Sequence, residues 1–424
     1  MRQAPKTVRS VAPADALRAS LAYHFADATV DGVFARHASV QFDPLAPLGC
    51  NHDLVFAARV PGYRIGDYAN HVYRRRVAYD GWDKQASLVE IAGQPARRRY
   101  HVWFGERWRQ AVLERWPAEV EEVTAQLRDR GPLDALEVAL DTRLSELEGS
   151  WYGPRLAKRI LRALWHTGRV ATSARRHGRH LYDLTERVLP AEVLAAPTPG
   201  PEQALATLML DRHRATGLLR PSASAEVWSM PVPAAARRHA IARLVDDGSL
   251  TPFDVAGQRH HAVPGWLDAL ASGGGIDGVR FVAPLDPLVW DRPGLKRVFG
   301  FDYLWEVYKP AVQRRWGYYV LPVVHRDRFV ARIDASREVR HDGEVVWRVE
   351  RWWWEDGVAG AGELGRSFAT DLERAAARFA GYLGASRAVI RGGVPNTVAS
   401  IVREGALGAP GRPVRAPVRV EQRA

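Results

Sequence analysis

GPRLAKRILRALWHTGRVATSARRHGRHLYDL, residues 153–184, is the stretch on which the architecture turns. Leu156, Ile160, Leu161, Leu164 and Trp165 recur at helical spacing, which puts their apolar bulk on one side of a helix expected from Pro154 to Thr167. Gly168 supplies the left-handed residue that ends such a helix. Beyond it, Arg169–Thr172 and His180–Tyr182 read as two strands around Arg175-Arg176-His177-Gly178, a helix followed by a β-hairpin wing. The same order returns in RRHAIARLVDDGSLTPFDVAGQRHHAVPGWLDAL, residues 237–270, with Gly248 as the cap and Ala256-Gly257 as the turn. Two such units about 80 residues apart imply a tandem array of winged-helix modules.

Working outward, PTPGPEQ (197–203) reads as a linker and Ser272–Gly275 as a second boundary. After it the pattern turns to strands, Tyr318–Val324, Phe329–Asp334 and Val345–Trp354, then a helix from about Gly365 to Leu383. Before the quoted stretch lie helices between Pro13 and Ala38, a short half-buried strand alternating Val40 and Phe42 with Gln41 and Asp43, and a long helix over 106–148 broken at Gly131-Pro132. The expected fold is α+β. Winged-helix modules occupy 1–105, 106–195 and 196–275, a β-rich, barrel-like domain with a final helix occupies 276–405, and a disordered basic tail covers 406–424.

The 424 residues are 46% hydrophobic and 25% charged, with no run of 18 apolar residues and no apolar core near the start. A membrane-spanning or secreted chain is therefore not expected, and the single cysteine, Cys50, provides neither an internal disulfide nor a cysteine-rich zinc site. The cytoplasm is the expected compartment. Sixty basic against 48 acidic side chains, a formal +12, point to a polyanionic partner. Only five of the basic residues are lysines, an arginine usage that a GC-rich genome also produces but that suits forked contacts to phosphate and guanine.

Several blocks together resemble one family. VQFDPLAPLGCNHDLVFAARVPGYR (40–64), DGWDKQASLV (80–89), WYGPRLAKRILRALWHTGRV (151–170) with LYDLTERVLP (181–190), and FVAPLDPLVWDRPGLKRVFGFDYLWEVYKPA (281–311) with RRWGYYVLPVV (314–324) are similar to the AlkZ/YcaQ family of bacterial DNA glycosylases. The resemblance implies a C-shaped stack of winged-helix modules closed by a β-rich domain. It also implies removal of bulky N7-alkylated purines and unhooking of interstrand crosslinks in double-stranded DNA, with no metal and no organic cofactor. The family's signature is Gln, an apolar residue, then Gln or Asp. Here it reads Gln41-Phe42-Asp43, which resembles the YcaQ branch and departs from the second Gln of the AlkZ branch.

N7-alkylation leaves the purine cationic and a good leaving group, so the demanding step is stabilising an oxocarbenium-like sugar and delivering water to it. Asp43 suits both tasks, as a negative charge and as a proton acceptor, while Gln41 suits holding that water by its amide and carbonyl. Asn51 and His52 follow closely enough to support the site, His52 either as a contact to the lesion or as a structural histidine. Trp82 and Asp83 read as shaping the pocket or packing beneath it. Lys84 offers the rival of a Schiff-base lyase.

DNA contacts are expected from Arg74, Arg75, Arg97 and Arg98 and, at the wing, from Arg175, Arg176, His177 and Arg179. The tryptophans of WRVERWWWED (347–356) read as packing in preference to a base-stacking platform. The functional expectation is a monofunctional glycosylase that leaves abasic sites, acting as a monomer on the nucleoid. The alternative is a non-catalytic winged-helix protein, either a transcription regulator or a damage sensor.

Overall fold

The computed structural model describes residues 8–140, 156–358 and 360–408. They form a mixed α+β fold of helices and several sheets, divided into two compact units that interleave along the sequence. One draws on Met1–Pro13, Val30–Pro44 and Tyr68–Ala271, the other on Ala14–Thr29, Leu45–Asp67 and Ser272–Ala424.

In the first unit the helix Leu156–His166 buries Ile160, Leu161 and Leu164 against Val120, Val123 and Leu127 of the helix Pro117–Arg130. The residues where that helix was expected to start, at Pro154, lie outside the described residues. Strands Val170–Arg176 and Arg179–Leu184 pair antiparallel after it, and the turn His177-Gly178 has φ of 50° and 77°, the doubly left-handed geometry that matches strand twist. The second hairpin, Thr251–Val255 with Gln258–Ala262, turns at Ala256-Gly257 with φ of 52° and 71°. Its sheet grows to four strands, because Arg9–Val11 adds in parallel to Thr251–Val255 and Leu218–Leu219 adds to Gln258–Ala262.

Of the long helix expected over 106–148, residues 141–148 lie outside the described residues, and the described part is interrupted. Helical turns over Gly105–Leu113 stop before Trp116, and Pro117, which has no N–H to donate, opens a new helix that ends at Arg130. A third sheet, in the order Ser39–Gln41, Gln85–Glu90, Ala78–Asp83, carries the signature region. The strand there is buried on both faces, not half-buried, and it ends at Gln41, so that Asp43 lies beyond it.

In the second unit, strands Val279–Phe281, Val320–His325, Arg328–Val339, Val345–Trp354 and Arg387–Gly393 form one sheet in that order, antiparallel except for the last pair. Among the described residues its outer strands do not pair with each other, so the expected barrel-like domain is an open sheet. Helices Gly365–Leu383 and Asn396–Leu407 accompany it, where one final helix was expected. The second helix places Val398, Val402 and Ala406 in the core, and Gly405 permits close packing because a Cβ there would strike the Glu373 carbonyl. It runs into the segment expected as tail, of which 409–424 lie outside the described residues.

A buried clamp holds this unit together. Arg59 meets Asp286 through two hydrogen bonds of 2.7 and 2.9 Å and donates to the carbonyls of His24 and Val55, joining three separate stretches of chain. Trp352 is buried, Trp354 packs on Phe368 and Trp353 on Trp316, so the tryptophan run belongs to the packing.

Candidate active site

Gln41 sits opposite Ser87 at the end of its strand, and the N–H of Phe42 adds one more ladder bond to the Ala86 carbonyl at 2.8 Å. The tight turn between Ala78–Asp83 and Gln85–Glu90 is made by Lys84 alone, which folds its side chain inward, 3% exposed, and donates to Gln41 Oε1 at 3.3 Å. An ammonium can only donate, so the amide oxygen of Gln41 faces Lys84 and the NH2 faces away. The carbonyl expected to hold water is thus engaged by lysine. Glu226 places a carboxylate oxygen 3.7 Å from the same Nζ.

Beneath this edge lies an ionic core. Asp83 accepts from Ser39 Oγ at 2.6 Å, Arg212 at 2.9 Å and Arg97 at 3.1 Å, and Arg97 also reaches Asp211 at 2.8 Å. Burial pushes the Asp83 carboxyl upward, but the two guanidinium groups outweigh it and hold it well below the usual carboxylate range. Ser39, two residues before Gln41, is fastened into this network, so the ionic core fixes the strand that carries the signature. Asp83 is therefore a structural anchor, and Arg97 lies in the core, off the surface where a DNA contact was expected.

Arg175 corrects a second expectation. Instead of crowning the wing, its guanidinium lies 3.7 Å from the ring centroid of Phe42 and binds the buried Asp80 at 2.7 and 3.2 Å. Asp80 also accepts from Tyr73 at 3.0 Å, and against the upward push of burial the Arg175 guanidinium holds its carboxyl below the ordinary range. Thus Gln41 and Phe42 are gripped from separate elements, Lys84 on one and Arg175 on the other. Asp43 follows half-buried, just ahead of the exposed Pro44.

The other expected DNA-binding residues divide. Arg98 donates to the Val193 and Ala196 carbonyls and to Thr198 Oγ1, which caps the helix Ala191–Ala195 and fastens the stretch read as a linker. Arg75 pairs with Asp31 at 2.7 Å, Arg176 with Glu137 at 2.6 Å and Arg179 with Asp134 at 3.0 Å, all three with exposed side chains. Arg74 and His177 are exposed as well. Trp82 lines an aromatic cleft of about 520 Å³, open solvent included, together with Tyr79, Tyr100, Phe104, Trp165 and His166. No sequence pattern announces this cleft, because its walls come from four separate stretches of the chain.

Asn51 and His52 belong to the second unit and are fully buried. Asn51 accepts the N–H of Leu285 at 3.0 Å, a structural bond. Cys50, His52 and Asp53 bring potential ligand atoms within 4.8 Å of one another. Asp53 already accepts from the Tyr63 hydroxyl at 2.8 Å and the Gly66 N–H at 2.9 Å, and burial raises its carboxyl to about 6. Gly49, just ahead, must be glycine: its φ is +90° and a Cβ would run into the Tyr382 hydroxyl.

Comparison with known proteins adds two findings. The family described as "DNA glycosylase AlkZ-like" matches residues 34–382. The fold is similar to that of the Streptomyces sahachiroi DNA glycosylase AlkZ, with a TM-score of 0.56 at 16% identity, over 91% of this chain and 100% of that one.

Proposed function

This chain belongs to the AlkZ-like family and is a DNA glycosylase, and from that premise we propose that it hydrolyses the N-glycosidic bond of N7-alkylated purines, including crosslinked ones, without lyase chemistry. The observation that carries the reading is the Gln41-Phe42-Asp43 signature, with its glutamine oriented by a buried lysine. In the proposed reaction the C1′–N9 bond breaks and its electron pair neutralises the cationic base. Asp43 stabilises the developing oxocarbenium. The Gln41 NH2 donates to the oxygen of a water, and Asp43 takes a proton from that water as its oxygen bonds to C1′. The products are a neutral alkylated base and an abasic site.

Lys84 is in this reading a positioning residue. A Schiff-base nucleophile has to be neutral and reach the sugar, whereas Lys84 is buried between the Gln41 amide and the Glu226 carboxylate. The remaining elements of the proposal are the tandem winged-helix modules with the boundaries given above, contacts from Arg74, Arg75, Arg176, His177 and Arg179 to DNA, and action as a monomer on the nucleoid.

The test compares wild type, Asp43→Asn and Lys84→Met on duplex carrying N7-methylguanine or a nitrogen-mustard crosslink, with alkali to reveal abasic sites. Asp43→Asn should lose about 10²-fold or more in single-turnover rate. Lys84→Met should slow excision without abolishing it, and borohydride should trap no covalent adduct on wild type. Full activity in Asp43→Asn, or a trapped adduct that depends on Lys84, would sink the proposal.

A further inference from the structure

The segment between the helix Arg292–Phe299 and the strand Val320–His325 does more than connect them. It exposes large apolar side chains: Tyr308 is 84% exposed and Val312 94%, and Leu304 and Tyr318 of the same segment are exposed as well. Exposed apolar side chains gathered in one segment mark an interaction surface, and this loop is internally fastened. Glu306, 2% exposed, accepts the backbone N–H groups of Arg315 at 3.1 Å and Trp316 at 2.8 Å and the Lys309 ammonium at 2.8 Å. Arg314 donates back to the Lys309 carbonyl at 2.9 Å, and Ala311–Gln313 forms a tight helical turn at the tip. One buried carboxylate therefore staples the base of the loop and holds its apolar tip in water, an arrangement that favours burial against a partner because little ordering entropy remains to be lost.

The charges beside the tip identify that partner. Residues 296–318 hold five cations, Lys296, Arg297, Lys309, Arg314 and Arg315, against two carboxylates, of which Glu306 is consumed by the staple. The other, Asp302, meets Lys296 at 2.9 Å and Arg315 at 3.8 Å in exposed surface pairs that solvent keeps weak, so both cations exchange readily onto phosphate. A rigid apolar wedge flanked by cations is the device with which proteins part base steps while gripping the backbone.

We propose that residues 304–318 form a wedge that inserts Tyr308 and Val312 into duplex DNA, with Lys296 and Arg315 on the flanking phosphates. The inference rests on the chain's being a DNA glycosylase and is independent of the N7-alkylpurine chemistry. Its test therefore uses undamaged duplex and reads binding and unstacking, never excision. Duplexes with 2-aminopurine at successive positions are titrated with the full chain while anisotropy and emission are followed.

Wild type should raise emission at one or two steps. Tyr308→Ala with Val312→Ala should abolish that rise and weaken binding about tenfold with an unchanged salt slope. Lys296→Ala with Arg315→Ala should lower the slope of log K against log salt by about 1.8 and keep the emission rise. Glu306→Gln, which keeps the wedge but loosens its staple, should fall between wild type and the wedge variant. The proposal is overturned if the wedge variant binds and unstacks as wild type does, if affinity falls with no emission change at any step, or if its only effect is on self-association in sedimentation.

Discussion

The two hairpins of the first unit share a grammar and differ in use. Both follow a helix and both turn through two left-handed residues. The second, Thr251–Ala262, has Ala256-Gly257 at its tip and serves as the middle of a four-stranded sheet. The first, Val170–Leu184, stays two-stranded and spends its side chains on neighbours: Arg175 on Asp80 and Phe42, Arg176 on Glu137 and Arg179 on Asp134. An arginine-rich turn can thus be a tether. The difference teaches that the sign of a cluster's charge is readable from sequence, while its assignment to DNA or to protein depends on where carboxylates come to rest.

The strongest way to break this comparison is Arg175→Ala. Leaving Asp80 buried without its partner should cost about 3–5 kcal/mol in denaturant unfolding, and excision should fall as Phe42 loses its support. Arg175→Lys should not restore excision, since a lysine provides neither the fork nor the planar stack. An Arg175→Ala protein of wild-type stability whose sole defect was in DNA affinity would return this residue to the wing-tip role.

Acid tests what the hairpins have in common. His180 in the first and His261 in the second are both pulled down to about 4, chiefly by burial. Unfolded, each titrates near 6.5, so between about 6.5 and 4 the unfolded chain binds protons that the folded chain refuses. Stability should therefore fall as pH drops through that window. His180→Gln and His261→Gln should each flatten the fall, by at most about 1.4 kcal/mol per pH unit, in melts recorded across it. A histidine variant with an unchanged pH slope would show that its ring is already solvated.

The smallest effect sharpens the contrast within one hairpin. Arg176→Ala removes a pair exposed on both sides and should cost no more than about 1 kcal/mol, whereas Arg179→Ala, which takes the partner from the buried Asp134, should cost more than Arg176→Ala. Both should also reduce the salt slope in duplex binding, by about 0.9 for each phosphate that is no longer neutralised. Arg175→Ala, measured alongside, should change stability far more than salt slope.

Much of the candidate site is legible in the sequence because its signals are local. The Gln41-Phe42-Asp43 signature, the helix Leu156–His166, both hairpin turns and the helix Gly365–Leu383 all declare themselves through spacing within a few residues. The helix Asn396–Leu407 does not, for Thr, Val, Ser and Gly are weak helix formers, and its apolar stripe of Val398, Val402 and Ala406 is short. The open sheet escapes a sequence reading because closure depends on which strands become neighbours, and its outer strand Val279–Phe281 is only three residues long.

By itself the sequence determined the membership, the basic balance and the order of helices and turns, since these follow from residue identity and near-neighbour periodicity. Only the tertiary structure decided that Lys84 orients Gln41 across 43 positions, that Arg175 reaches Asp80 across 95, and that Arg97 is sealed in an ionic core. The physical reason is that each of these contacts joins groups far apart in the chain, so it exists only where folding brings the partners together and buries them. That coincidence is a property of the folded chain and leaves no mark on the linear pattern of charge.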